Sequence, residues 1–253
     1  MIGIFMLIIG LVIGSFLNVC IFRIPREESI SFPPSHCMKC GTRIKTYDLF
    51  PVISYFILKG KCRKCGDKIS IRYPLIELFT GILFLLIYLK FGLTLDLIKF
   101  TLLSCFLIVI GMIDLDTTDV YLKTTRSGMA IGVVFVIIAF FNGNSYLPFI
   151  YGGVLGGGVI GLIVLATLGR GMGTGDIEIC LLCGLFLGFK PALVMLFFSF
   201  VLGGIIGVFL MVAKKKSGKY AIPFGPFIVM GTFIAMFYGE QIVNWYLSLM
   251  IIG

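Results

Sequence analysis

Histidine is nearly absent from this 253-residue chain: His36 stands alone against eight cysteines and twelve acidic side chains. A single imidazole excludes a His-Glu-x-x-His zinc protease, which takes two histidines from one helix face. No Gly-x-Ser-x-Gly segment occurs, so a serine nucleophile lacks its usual frame, and no soluble dinucleotide-binding fold is visible. Charge is scarce too: 13% of residues are charged, 59% are hydrophobic and the mean hydropathy is +1.10. Soluble domains carry about 25% charged residues. These deficits leave a polytopic membrane protein whose chemistry rests on carboxylates.

Apolar runs recur over 2–22, 74–89, 97–113, 128–141, 146–168, 177–189, 192–213 and 224–238, the last reaching towards Ile252. The expected fold is all-α, with about eight transmembrane helices. Its parts are a first transmembrane helix (1–22), a small four-cysteine domain (23–73) and a seven-helix membrane domain (74–253). The first run is not read as a cleavable signal, because no basic residue precedes it and Arg23 and Arg26 follow it. That charge order favours an N-terminus outside and the next segment inside. With eight spans, the inside segments are 23–73, 114–127, 169–176 and 214–223. They hold every lysine and arginine except Lys90, Lys99 and Lys190. The net charge of +9 then reports orientation in a lipid bilayer rather than nucleic-acid binding.

Segment 23–73 carries Cys37-Met-Lys-Cys40 and Cys62-Arg-Lys-Cys65, each followed by a glycine, Gly41 and Gly66. Two such knuckles fit one tetrahedral zinc site of four thiolates, the glycine supplying a left-handed residue to each turn. So short an insert has little core of its own, and a metal staple compensates. Two disulfides are the alternative, disfavoured if the segment faces a reducing cytoplasm. His36 reads as a solvated neighbour. Cys20, Cys105, Cys180 and Cys183 lie in apolar runs, where cysteine is a small apolar side chain.

Two acidic clusters sit at the inner boundary, one closing an apolar run, Asp114-Leu-Asp116-Thr-Thr-Asp119, and one opening another, Gly171-Met-Gly173-Thr-Gly175-Asp176. A charge at membrane depth costs about 2.5–3.5 kcal/mol on insertion scales, so both clusters invite a functional reading. Two carboxylates brought within a few ångströms cannot both ionise readily. One then takes a proton from water while its protonated partner polarises a carbonyl. Asp114 and Asp176 are the candidate pair. Gly173 and Gly175 would let the backbone turn and approach closely, and Asp116 is a candidate support or a solvated neighbour. Asp119 and Glu178 read as interfacial residues, and Glu77 either as a buried acid or as a residue that only reaches back to the basic segment. Gly153, Gly157 and Gly161, and Gly203 and Gly207, suggest close helix packing. A proton- or cation-coupled transporter, or a zinc-bearing assembly factor without catalysis, would also accommodate these features.

In order and spacing these segments resemble the bacterial type IV prepilin peptidases, membrane aspartic proteases of the Gly-x-Gly-Asp type. The resemblance spans Gly14–Pro25, both cysteine knuckles, Pro51–Ser54, Gly60–Arg63, Arg72–Glu77, Ile113–Asp114, Gly173–Asp176 and Ile222–Phe227. It implies that Asp114 and Asp176 are the catalytic pair of an aspartic peptidase domain. It also implies that Cys37, Cys40, Cys62 and Cys65 hold structural zinc. The implied activity is removal of the leader from type IV prepilins or pseudopilins at the cytoplasmic face of the bacterial inner membrane. Methylation of the new N-terminus with S-adenosylmethionine is implied as a second activity. Two positions depart from the family pattern: Val120-Tyr-Leu122 replaces a proline-bearing step, and Glu178 stands where a lysine is common.

Overall fold

The computed structural model describes residues 1–169, 171–214 and 223–252. Arg170, residues 215–222 of the expected inside segment 214–223, and Gly253 lie outside the described residues. The described secondary structure is helical apart from two isolated β-bridges, and the chain divides by packing into two compact units, Met1–Cys105 and Phe106–Gly253.

In the first unit, α1 (Ile2–Arg23) packs along α3 (Arg72–Phe91). The approach is backbone to backbone: a Cβ on Gly10 would lie 2.7 Å from Gly81 Cα, and one on Gly14 would lie 2.8 Å from Glu77 Cα. Small residues create such contact where lipid tails offer no hydrophobic drive between helices. Between α1 and α3 runs the cysteine segment, with one short helix, α2 (Ile53–Ile57). Two membrane-helix residues hold it. Arg23 donates to Ser29 O at 2.8 Å and Pro33 O at 2.6 Å, and the Val52 N–H donates to Glu77 Oε2 at 2.7 Å. Glu77 thus does reach back to the segment it adjoins.

Helix α4 (Leu95–Thr117) leads into the second unit, which continues through α5 (Leu122–Phe141), α6 (Leu147–Ala166), α7 (Thr174–Leu187), α8 (Phe189–Lys214) and α9 (Gly225–Ile252). At its centre is α7, packed by α5, α6, α8 and α9. Its Ile179, Cys180, Leu182, Cys183 and Phe186 have no exposed surface, so both cysteines serve as small apolar packing groups. Helix α6 meets α7 through backbone: a Cβ on Gly156 would fall 2.5 Å from Cys180 O. The expected stripe, Gly153 and Gly157, faces α7 side chains, while neighbouring Gly152 and Gly156 make the closest approach; Gly207 faces open space.

Seven described helices are long and apolar enough to cross a bilayer. The eighth expected run exists as α7, but its 14 residues rise only about 21 Å, short of the ~30 Å hydrocarbon core. Protein on every side explains how so short a helix can sit there, because irregular backbone at membrane depth needs protein or a water-filled cavity around it.

Candidate active site

Asp114 lies inside the last turn of α4, not beyond it, and is 3% exposed. The helix ends one turn later, where the Thr118 N–H donates to Asp114 O at 2.9 Å and Thr118 adopts φ 58°. Asp176 occupies the third position of α7 and is 7% exposed. Its Oδ2 accepts the Gly173 N–H at 3.2 Å, so the acid closes its own helix start. Gly173 is the N-cap, and Gly175 is the close-approach residue: a Cβ there would fall 2.5 Å from Val120 Cβ. The loop after α4 therefore seats directly on the start of α7.

This seating brings Asp114 within electrostatic reach of Asp176, and of Asp119 as well. Among the described residues, Asp114 Oδ2 is the buried side-chain oxygen with no hydrogen-bond partner. Buried carboxylate oxygens are normally satisfied, and leaving one unmet costs stability. A carboxylate kept for packing would be paired. Asp116, two residues on, is exposed, as is Asp119. Glu178 turns towards α5, where its Oε2 accepts a short hydrogen bond from Thr125 Oγ1 and its Oε1 lies 3.5 Å from the Arg126 guanidinium.

A third wall comes from the start of α9. A Cβ on Gly225 would meet Asp114 Oδ2 at 2.5 Å and Ile179 Cδ1 of α7 at 3.3 Å. The Gly225 backbone faces the carboxylate without completing a hydrogen bond to Oδ2. In the sequence, Ile222–Phe227 entered only as one segment of the family resemblance, with no role given to Gly225. The available signal was the glycine between two prolines, since a residue without a side chain suits a wall pressed against an acid.

The four cysteine sulfurs of Cys37, Cys40, Cys62 and Cys65 converge, all within 4.8 Å of one another, and no disulfide forms. Each knuckle repeats one design. The Gly41 N–H bonds Cys37 O and the Gly66 N–H bonds Cys62 O, both at 2.9 Å, with the glycines at φ 65° and 71°. Bridges His36–Arg43 and Lys61–Lys68 flank the two turns. Cys37 and Cys65 sulfurs are 3.7 Å apart, and a tetrahedral ion with metal–sulfur bonds of about 2.3 Å sets its ligands ~3.8 Å apart. Hydrogen bonding to the Thr42 hydroxyl and backbone lowers the Cys40 thiol, whereas Cys65 in the same cluster is pushed up. The His36 Nδ1 is 3.1 Å from Pro34 O, and the ring lies outside the sulfur cluster.

Comparison with known proteins shows two family models along the chain. The Bacterial Peptidase A24 N-terminal domain matches residues 8–91, and the Type IV leader peptidase family matches residues 101–208. A protein of Bacillus subtilis (strain 168) is 31% identical over 245 residues, spanning 96% of each chain. One of Neisseria gonorrhoeae is 32% identical over 275 residues, covering 95% of this chain and 93% of its own. A Myxococcus xanthus (strain DK1622) protein is 33% identical over 223 residues, covering 85% of this chain and 65% of its own. All three carry the name Prepilin leader peptidase/N-methyltransferase. No solved structure matches.

Proposed function

Because this multi-pass membrane chain belongs to the type IV leader peptidase family, we propose that it is an aspartic endopeptidase that removes the leader of type IV prepilins or pseudopilins. Asp114 and Asp176 are its catalytic pair, with Gly173 and Gly175 shaping the start of α7. The observation that carries this assignment is the unpaired, buried Asp114 Oδ2 within electrostatic reach of Asp176. The two carboxylates share one proton. As the oxygen of a water bonds to the scissile carbonyl carbon, the ionised carboxylate takes the water's proton and the protonated one hydrogen-bonds the carbonyl oxygen. Collapse breaks the C–N bond, and the departing amine takes up a proton from the pair.

The relatives' names support a second activity, methylation of the new N-terminus with S-adenosylmethionine. Cys37, Cys40, Cys62 and Cys65 hold a structural zinc ion that fixes the fold of segment 23–73. The distribution of lysine and arginine sets the N-terminus outside, with the zinc domain and the carboxylate pair on the cytoplasmic side of the bacterial inner membrane. There the apolar helix of a prepilin lies in the bilayer beside the enzyme.

The deciding experiment is prepilin cleavage in membranes by the wild type, Asp114→Asn and Asp176→Asn. Loss in both variants at normal expression supports the pair. Robust cleavage by either removes that acid from the mechanism and moves attention to Asp116. If the wild type cleaves no prepilin or pseudopilin, the peptidase reading fails.

A further inference from the structure

Helix α2 (Ile53–Ile57) divides its side chains between two faces. On the inner face, Ser54 is buried and donates to Tyr47 O at 3.2 Å, and Tyr55 packs on Gly60, where a Cβ would lie 2.9 Å from its hydroxyl. On the outer face, Ile53, Phe56 and Ile57 fall at the i, i+3, i+4 spacing of one helix side and are 60%, 69% and 68% exposed. Single exposed apolar residues are ordinary, whereas several together on one face mark contact with something apolar.

The level at which this face sits identifies the partner. The Val52 N–H donates to Glu77 Oε2 at 2.7 Å, and Glu77 lies five residues into α3, about 7.5 Å along its axis. Beside Glu77 on α1 stands Gly14, nine residues before that helix ends at Arg23. Both helices are long and apolar enough to span a bilayer. The chain at Val52 therefore dips below the first turn of α3 and starts α2 near the depth of Leu75 and Leu78, which are exposed on the outer side of α3. Backbone at such depth has to be satisfied within the protein. Besides the Val52 bond to Glu77, the N–H groups of Ile53, Ser54, Phe56 and Leu58 donate to the Pro51, Phe50, Val52 and Ser54 carbonyls at 2.6, 3.0, 3.4 and 2.9 Å. Val52 holds φ 62°, an outlying conformation for a β-branched residue, so the dip is imposed against local preference. Lys59, Lys61 and Lys64 follow α2 and are exposed. Segment 23–73 carries 11 basic against 4 acidic side chains, and two of those acids, Asp48 and Asp67, are paired with Arg63 and Lys39.

We propose that the outer face of α2 is a membrane anchor: Ile53, Phe56 and Ile57 enter the headgroup–acyl boundary of the bilayer, and the lysines that follow meet anionic phospholipid headgroups. Amphipathic segments of this kind sit about 5–10 Å deep, which matches the level set by Glu77. The anchor gives the cysteine segment a third attachment besides α1 and α3, and fixes the knuckles against the bilayer surface. Glu77 acquires a role in it, as the acceptor that replaces water for the Val52 N–H. The inference stands independently of the peptidase and methylation readings.

The test is fluorescence quenching of the full chain in vesicles of phosphatidylcholine and phosphatidylglycerol. The chain holds one tryptophan, Trp245, so Trp245→Phe gives a background into which Phe56→Trp is placed, with Leu78→Trp as a reference on the outer side of α3. Phospholipids brominated on the acyl chain near the headgroup are expected to quench Phe56→Trp within about twofold of Leu78→Trp, since both rings would lie roughly 5–10 Å deep. Ile57→Trp, on the same face, repeats the measurement, and melting temperatures report whether each variant is folded. Acyl-chain quenching at that level sustains the anchor. Quenching by aqueous iodide without acyl-chain quenching puts the face in water and overturns it. Protection from both quenchers means that protein, a second copy or another chain, covers the face, and overturns the anchor equally.

Discussion

Replacing Gly225 with alanine would set a methyl group 2.5 Å from Asp114 Oδ2 and 3.1 Å from its Cγ. Ordinary contact begins near 3.4 Å, so something must retreat by roughly 1 Å, and the start of α9 is held by backbone while the carboxylate is the free end of a side chain. Because the yielding atoms are a side-chain terminus, the stability cost belongs at the low end of the ~1–3 kcal/mol typical of overpacking. Alanine also recovers about 0.5–1 kcal/mol over glycine inside a helix. The penalty therefore falls on where the carboxylate sits. A displacement of about 1 Å at a reacting group can cost about a hundredfold in rate. Gly225→Ala should then fold and express normally yet lose about two orders of magnitude in prepilin cleavage, read as kcat/KM in membranes beside a melting curve.

Gly204→Ala and Gly207→Ala supply the control, since a Cβ at either position meets nothing within 4 Å. Both should cleave within about twofold of wild type, the range expected where nothing has to shift. If Gly225→Ala also cleaves within twofold while Asp114→Asn is dead, the start of α9 does not position Asp114, and the third wall of the site is wrongly drawn.

Four further outcomes are expected. Asp176→Asn should lower kcat/KM by roughly 10²–10⁴ with little loss of stability, because an amide oxygen still accepts the Gly173 N–H; a parallel collapse in melting temperature would make Asp176 a cap alone. Cys37→Ser should weaken zinc retention and expose segment 23–73 to protease, measured by metal analysis and limited proteolysis, whereas unchanged zinc content would refute the four-thiolate centre. The Arg63 guanidinium, bonded to Asp48 at 2.6 and 2.9 Å, holds that carboxyl below its ordinary value. A depressed folded value adds stability that is complete above the unfolded pKa, near 3.9, and disappears as pH falls through the folded one; protease resistance of the segment should drop across that acid range in wild type and less so in Asp48→Asn. Thr118 follows α4 in the left-handed region at φ 58°, so Thr118→Gly should gain about 1 kcal/mol in thermal unfolding, and an unchanged or lower melting temperature would refute strain at this position.

The apolar runs marked the helices because lipid-facing and protein-facing residues are both apolar, and only polar breaks such as Arg23–Arg72 and Asp116–Val120 interrupt them. Their ends were harder to read. Leu122–Ser127 belongs to α5 although Lys123 and Arg126 lie within it, because a polar first turn remains helical once Thr125 is tied to Glu178 on α7. The same contact explains why charge at position 178 could not be judged from the motif: its partner is 53 residues away. The knuckles were legible because a metal centre concentrates its ligands into two short spacings and marks each turn with glycine. Neither site is complete in such local signals. Gly225 against Asp114 and Val120 against Gly175 are contacts between distant segments, recorded in the sequence only as a missing side chain facing a bulky or charged one. Glycine reads as a turn or a packing notch until its neighbour is known. The acids could be found from the cost of placing them in a membrane, whereas the residues that hold them in place carry no such cost and became visible only through the space they leave.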